Sequence, residues 1–329
     1  MNVASIAIYE SDIESPLVTI AIPTYKRGDM LSEAVNSALN QVDFEKKYDV
    51  IVVDNNPERG DSTEKVMEQY RDNASVSYYK NEENIGPIGN WRRLYELAKG
   101  DYVIMLHDDD MLFPYYLQLS FSLLENENYK YKLLYPQYYI SRNRQIPEKS
   151  IPHSLKYREM SPEDYLVTQW GLPSGLMIEK DKYNRIGGYT EDFYPINDQF
   201  FIYRALHIVK GAEIRFPLCF YYIGANTSMR PDVIIESIIQ ADRFSKVISE
   251  DKGNKWRFFM PICRRRQISN QCKWGANFVS YDILEKAKER IGLESNWIKD
   301  MTSNILSKFL LLYIHIFKIH KFIIKQGVR

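Results

Sequence analysis

The chain of 329 residues carries 43 Lys and Arg against 43 Asp and Glu, a formal net charge of zero. That balance excludes a general nucleic-acid binder, which needs a basic excess to offset phosphate charge; the length admits one large domain or two, with a sizeable core. The cysteines, Cys219, Cys263 and Cys272, are too scattered for a zinc pattern or a disulfide framework, which fits a reducing cytoplasm. Glu10, Asp12 and Glu14 near the start, with no basic segment and long apolar run, give no signal peptide. Tyrosine is abundant, 25 against 15 phenylalanines, and such rings suit sugar-lined clefts as well as ordinary cores.

Residues 17–22, apolar but for Thr19, read as a buried strand. A turn of Pro23, Thr24, Tyr25, Lys26, Arg27 and Gly28 follows. A helix then begins near Asp29, with Leu31, Ala34, Val35, Ala38 and Leu39 on one face. Residues 48–53 form a second strand that runs into Asp54, Asn55, Asn56 and Pro57. Ser62 opens another helix, residues 76–79 are a short strand, and a turn at Asn84, Ile85, Gly86 and Pro87 leads to a helix through Trp91, Leu94 and Leu97. Residues 102–106 are again a buried strand, and it breaks into three consecutive carboxylates, Asp108, Asp109 and Asp110.

Strands alternating with helices predict an α/β fold with a mostly parallel central sheet and right-handed crossovers. Ligands of such sheets bind beyond the carboxyl ends of the strands, which here gathers Tyr25, Asp54, Asn84 and the three acids on one edge. Three adjacent carboxylates repel one another unless a cation joins them. Hard divalent ions, Mn²⁺ or Mg²⁺, take oxygen ligands and share carboxylates with substrate phosphates, so a metal–diphosphate site is expected. The plainer reading is a solvated acidic turn capping the helix after Pro114.

The second half is less regular. Residues 131–140 are strand-like, Ser161 and Pro162 signal a helix start, and the loop from Trp170 to Gly175 opens into a short strand at residues 176–178. Gly187, Gly188 and Tyr189 break the chain before Asn197 and Asp198, which precede a helix with Phe200, Phe201, Tyr203, Leu206 and Ile208. Only helices are read beyond Pro231. Trp170 and the loop carrying Ser174 and Gly175 are expected to wall a sugar or acceptor, since flat rings pack on sugar C–H faces; a core Trp is the alternative. Arg92 and Arg93 are candidates to face a diphosphate or to sit on a solvated helix face. Arg264, Arg265 and Arg266 read as a solvated face, and His153, His207, His315 and His320 have no metal-ligand spacing.

Residues 18–27 (VTIAIPTYKR), 50–55 (VIVVDN), 84–86 (NIG) and 106–110 (LHDDD), followed by Gly187, Gly188 and Tyr189 and then Asn197 and Asp198, together resemble the family 2 glycosyltransferases. The resemblance covers residues 17 to about 225. It implies a GT-A nucleotide-sugar domain that is inverting, metal-dependent and fed by nucleotide sugars. Residue by residue, it implies Asp109 as metal ligand with Asp110 as the second candidate, and Asp108 on the donor ribose. Pro23, Thr24 and Tyr25 would cradle base and ribose, and Asp54 would accept a ring N–H of the base, UDP-sugars being favoured; Asn84 and Gly86 would line the pocket, Gly86 by allowing close backbone approach. Asp198, at the family's acidic pair, would be the general base with Asn197 beside it; the bland reading makes these two a helix cap. Two departures stand out: His107 occupies the place of the family's usual first Asp, and the segment 222–228 lacks the Arg-x-His of many relatives.

The expected organisation is a catalytic domain over residues 1–228 and a helical region over 229–329. The expected activity is transfer of one sugar to a hydroxyl of a glycan or lipid-linked glycan, in surface-polysaccharide assembly. The rivals are a metal-dependent nucleotidyltransferase or phosphohydrolase, and a nucleotide-sugar-binding partner subunit without catalysis. A helix near 303–325 combines the nine-residue apolar run 309–317 with Lys308, Lys318, Lys321, Lys325 and Arg329. That run is well short of the roughly 20 residues a spanning helix needs. It suits either the cytoplasmic membrane interface or packing against its own domain or a second subunit.

Overall fold

The structure is a computed structural model and describes residues 4–148, 150–166, 168, 170–224, 226–252, 259–294, 296–316 and 322–324. Strand β1 (Ser5–Tyr9) is partly exposed, whereas every residue of β2 (Val18–Thr24) is buried. β2 pairs in parallel with β3 (Tyr48–Asp54), and β3 with β4 (Val76–Asn81). The chain then returns to lay β5 (Tyr102–Met105) along the other side of β2, also in parallel. Helices α1 (Gly28–Leu39), α2 (Ser62–Met67) and α3 (Gly86–Leu97) make the crossovers.

Side chains alternate across this sheet, so the apolar runs feed two cores. Ile20, Ile22, Val50, Val52 and Ile104 share one with Leu31 and Val35 of α1; Ala21, Ile51, Val53, Val103 and Met105 share the other with Leu94 and Tyr95 of α3. The strand order β4-β3-β2-β5 reverses direction at β2, so the loops after β2 and β5 splay to opposite sides and leave a crevice between them. The motif residues come together here because Thr24 faces Asp54 in register and β5 ends just before the three acids.

Beyond β5 come β6 (Met111–Leu112), α4 (Tyr116–Asn126), β7 (Leu133–Ser141), β8 (Lys156–Met160), β9 (Leu176–Glu179), α5 (Lys180–Ile186), α6 (Asn197–Ile208) and β10 (Gly211–Tyr222). β9 runs antiparallel between β5 and β7, and β10 runs parallel to β7, so β2 to β5, β7 and β10 all point the same way. Instead of a full helix after Ser161, the chain makes a 3-10 turn at Pro162–Leu166. There the buried Asp164 accepts the Ser161 N–H at 2.9 Å, as at a helix start, but the 3-10 turn ends at Leu166.

Four helices follow: α7 (Pro231–Lys252), α8 (Met260–Gly275), α9 (Tyr281–Arg290) and α10 (Trp297–Ile316). Ile234, Ile238, Ile268, Cys272, Leu284 and Ala287 form a small core of their own, while Ala241, Phe244 and Ile248 of α7 join the core beneath the sheet. The reading of helices alone beyond Pro231 fails at β11 (Phe322–Ile324), which pairs antiparallel with β8 and covers an edge that would otherwise present unpaired backbone. A helix through 325 is therefore excluded at 322–324; Lys318, Lys321, Lys325 and Arg329 lie outside the described residues.

The arginine run is not a solvated face. Arg264 pairs with Asp242 and donates to the Ile291 carbonyl at 2.8 Å, Arg265 reaches Asp300 at 2.7 Å, and Arg266 bonds Asn304. These contacts clamp α8 to α7 and α10. Ser303, Ser307 and Leu310 of α10 are buried, whereas Ile298, Met301, Ile305 and Phe309 point outward, Phe309 being 63% exposed. No described helix is long and apolar enough to cross a membrane.

Candidate active site

The crevice at the switch point opens into a cavity of about 790 Å³. It is lined by Thr24, Tyr25, Asn55, Asn84, Asp108 and Asp109 from the sheet edge, by Asn197 and Asp198 of α6, and by Ser237, Gln271 and Trp274 of α7 and α8. A volume of this size is that of a small-molecule site.

The acid triad has a built-in cation. Arg27 Nη1 lies 2.6 Å from Asp109 Oδ2 and 3.4 Å from Asp108 Oδ1. The Thr24 hydroxyl donates to Asp108 Oδ2 at 2.8 Å, and Arg144 Nη1 to the Asp109 carbonyl at 3.3 Å. Asp110 lies one layer deeper, its Oδ1 accepting the Tyr222 N–H at 2.9 Å. One guanidinium does not neutralise three acids. Burial, followed by the charge of Asp109, pushes the Asp108 carboxyl up to about 7 and drives Asp110 well above the carboxylate range.

An imidazole nitrogen of His107 and one carboxylate oxygen each from Asp109 and Asp110 lie within 4.8 Å of one another. His107 Nε2 is buried without a hydrogen-bond partner, while Asp110 is held by the Tyr222 N–H and the Ser174 hydroxyl. A ring nitrogen and two carboxylate oxygens this close together are a donor set that a divalent cation satisfies, so these residues fit a metal.

After β2, Tyr25 is 44% exposed, with the Lys26 ammonium 5.6 Å from its ring centroid. Asparagines hold the neighbouring loop: Asn55 Nδ2 donates to Asn84 Oδ1 at 2.8 Å, and Asn81 Nδ2 donates to Asn55 Oδ1 at 3.0 Å and Asn90 Oδ1 at 2.9 Å. Gly86 sits at φ +72 with open space where a Cβ would stand, so glycine serves the backbone conformation here and not close packing. Gly86 itself is not on the wall; Asn84 and Pro87 are.

Asp54 stands behind the wall, not on it. Its Oδ2 accepts Lys80 Nζ at 2.8 Å and the Tyr78 hydroxyl at 2.9 Å, its Oδ1 accepts the Asn56 N–H at 2.9 Å, and the whole residue is buried. Lys80→Ala leaves that carboxylate buried without its ammonium, and a loss of about 3–5 kcal/mol is expected. Urea unfolding checks this; a loss below about 1 kcal/mol would mean that the pair is not what holds these strand ends together.

Asp198 opens α6 in its first turn. The N-cap position is Ile196 and makes no side-chain bond, so neither Asn197 nor Asp198 is the cap. Asp198 Oδ1 accepts the Gln199 N–H at 2.7 Å, and enclosure by the surrounding protein pushes its carboxyl up to about 7 although part of it still opens to the cavity. Asn197 is buried against the cavity with Nδ2 unpartnered.

Trp170 is a core residue, its ring edge-on to Tyr135 and Tyr165 and covered by the Arg158 guanidinium at 4.9 Å. Ser174 and Gly175 are also behind the wall: Ser174 Oγ accepts the His107 N–H at 3.0 Å, and a Cβ on Gly175 would meet Cys219 at 3.0 Å. Their neighbours Gly171, Leu172 and Pro173 do line the cavity. Neither Arg92 nor Arg93 lines it, and Arg93 pairs with Glu96. Sequence reasoning passed over Arg27, Asn55 and Trp274. Arg27 had a signal, since it shares a loop with Thr24 at the edge where three acids call for a cation; Trp274 had none.

This arrangement of sheet, switch-point crevice and carboxylate edge is the GT-A fold, which the chain shares with solved structures. TarS of S. aureus in complex with UDP-GlcNAc superposes with a TM-score of 0.52 at 14% identity, covering 87% of this chain and 89% of that one. A mannosyltransferase from Pyrobaculum calidifontis in complex with GDP-Man and Mn²⁺ gives 0.51 at 14% identity, over 93% and 88%. The chain belongs to glycosyl transferase family 2, whose model matches residues 19–187. Among curated relatives, an uncharacterized glycosyltransferase of Methanocaldococcus jannaschii is 28% identical over 45% of this chain and 51% of its own length. The GalNAc(5)-diNAcBac-PP-undecaprenol beta-1,3-glucosyltransferase of Campylobacter jejuni is 26% identical over 57% of this chain and 65% of its own. The matches thus span less than two thirds of those relatives.

Proposed function

We propose that the protein is an inverting glycosyltransferase moving one sugar from a nucleotide-diphosphate sugar, UDP-sugars favoured, to a hydroxyl of a glycan or lipid-linked glycan acceptor. The observation that carries this is that one cavity is lined both by His107 and Asp109 of the metal-fitting cluster and by a separate, high-pKa carboxylate, Asp198. A relative that acts on an undecaprenol-linked glycan supports a setting in surface-polysaccharide assembly.

Asp109 and Asp110 would hold a divalent ion, Mn²⁺ or Mg²⁺, which when bound would supply charge neutralisation for the diphosphate leaving group. Tyr25 stacks the base, with Pro23, Thr24 and Asn84 around it and Asp108 on the ribose. Asp54 acts from behind the wall by fixing the strand ends that carry Asn55. Arg27 gives up Asp109 for a phosphate oxygen, a bidentate partner that suits guanidinium geometry. Asp198 takes the proton of the acceptor hydroxyl; a carboxyl titrating near 7 is a far better base at neutral pH than an ordinary one.

The acceptor enters against α7 and α8, where Ser237, Asn270 and Gln271 offer hydroxyl and amide groups beside the Trp274 ring. Arg27 is the one Lys or Arg among the described lining residues, so this wall suits a neutral sugar. A nucleotidyltransferase is disfavoured because its Gly-rich phosphate loop is replaced by Pro23-Thr-Tyr-Lys-Arg; an inactive partner subunit is disfavoured by intact Asp109 and Asp198. The test is release of nucleoside diphosphate from UDP-, GDP- and dTDP-sugars with a lipid-linked oligosaccharide fraction. One donor should turn over only with divalent metal; silence with all three would reject the reading.

The proposed location is the inner face of the cell membrane, reached through the outward face of α10. Deleting everything after Asp300 is a poor probe, because it removes Ser303, Ser307 and Leu310 from the contact with α8. The double variant Ile305→Ser, Phe309→Ser leaves that contact intact. It should lose binding to anionic phosphatidylglycerol vesicles at unchanged melting temperature. A shift from dimer to monomer in light scattering, with vesicles ignored by both forms, would instead assign the face to a second subunit.

A further inference from the structure

The carboxylate pair assigned to the metal leaves His107 unexplained, at the position where the family's pattern has an acid. Its ring tilts against Trp91, with centroids 5.4 Å apart, and its backbone N–H donates to Ser174 Oγ at 3.0 Å, so the ring is packed on a fixed backbone. Nε2 is buried and has no hydrogen-bond partner. A buried imidazole nitrogen is normally paired, and here one of the two ring nitrogens lies within 4.8 Å of an oxygen of Asp109 and of Asp110. The mutual spacing of within 4.8 Å is close to what one ion requires. Ligand atoms around a six-coordinate ion with bonds of about 2.1 Å stand about 3.0 Å apart when adjacent and about 4.2 Å when opposite. Closing the cluster onto an ion therefore takes a shift of less than about 1 Å.

The geometry points to His107 as a nitrogen ligand that completes a His107–Asp109–Asp110 set and biases the site toward Mn²⁺ over Mg²⁺; this rests on the metal-assisted transfer proposed above. Mg²⁺ holds to oxygen ligands and sheds water reluctantly, whereas imidazole raises the affinity of the transition metals. The substitution of an acid by His107 thus changes which ion is preferred, and it removes one negative charge from an already overcharged cluster. Asp109 changes partners in this arrangement: the oxygen now held by Arg27 at 2.6 Å is freed when the guanidinium moves off.

The test is pulsed electron paramagnetic resonance of Mn²⁺ bound to the full chain, alone and with UDP or GDP, using protein labelled with ¹⁵N-histidine. A histidine ¹⁵N coupling should appear in the wild type and vanish in His107→Asp. His107→Ala should weaken Mn²⁺ binding by at least about tenfold, since even supporting groups of metal sites are worth that much. His107→Asp, which restores the family's acid, should make Mg²⁺ as effective as Mn²⁺ in promoting nucleotide binding. Mn²⁺ bound with no histidine coupling, while nucleotide binding stays metal-dependent, overturns the role of His107 and leaves the transferase reading standing. Nucleotide binding indifferent to metal overturns both the ligand and the metal reading, and nucleoside diphosphate release then decides the transferase reading separately.

Discussion

Asp109→Ala is expected to lower kcat/KM by about a thousandfold or more, the size of losing several kcal/mol of charge stabilisation at the leaving group. The cause is local. Asp109 is the member of the triad that both lines the cavity and belongs to the metal-fitting set. Calorimetry should show that the variant has lost the metal-dependent part of donor binding. The fold should survive, because Asp109 is itself one of the charges that raise Asp108 and Asp110, and removing a like charge relieves repulsion. A melting temperature at or above wild type is the corollary, as is usual where function concentrates like charge. Unchanged metal-dependent affinity would place the ion elsewhere.

Asp198→Asn should keep donor affinity and lose about 10²–10⁴-fold in turnover, since an amide cannot accept the acceptor proton. The pH dependence has two signs. Wild-type kcat should climb as pH rises through about 7, where Asp198 ionises, and the variant should be flat. Stability runs the other way. The folded carboxyl titrates near 7 against an ordinary 3.8, so between those values the folded state holds a proton that the unfolded chain has released. Stability contributed by the neutral form is therefore present at low pH and lost as pH rises through 7. The difference in melting temperature, variant minus wild type, should be positive at pH 8 and vanish near pH 4. Near wild-type turnover would move the base elsewhere, with Glu191 and Asp192 in the preceding loop the next candidates.

The strand ends were legible because the fold's logic is local there. Continuous apolar runs mark β2, β3 and β5, and parallel pairing obliges Thr24 and Asp108 to meet at one edge, as their 2.8 Å hydrogen bond shows. Asp54 was harder. Its partner Lys80 is opposite it in the β3–β4 register, which depends on pairing and not on neighbours in sequence, and a lone Lys in a strand reads as a solvent residue. Trp170 looked like a sugar platform because an apolar ring in a glycine-rich loop gives the same pattern whether it faces a cleft or a core; burial against Tyr135 and Tyr165 is decided by tertiary packing. The wall built by Gln271 and Trp274 was invisible for the same reason, since helical periodicity says which residues share a face but not which face meets the cavity. The short strand Phe322–Ile324 escaped because its apolar residues continue a helical pattern, and only the open edge of β8 makes a strand of them.

Anomalous diffraction tests most directly whether the crevice between β2 and β5 is the nucleotide-sugar site. Crystals grown with Mn²⁺ and whichever of UDP or GDP raises the melting temperature should show a manganese peak against Asp109 and Asp110. The base should lie on Tyr25, the diphosphate should have drawn Arg27 away from Asp109, and the open end of the cavity should lead toward Asp198. A nucleotide bound outside this cavity, or inside it with Arg27 still paired to Asp109 and no manganese peak, would contradict the account.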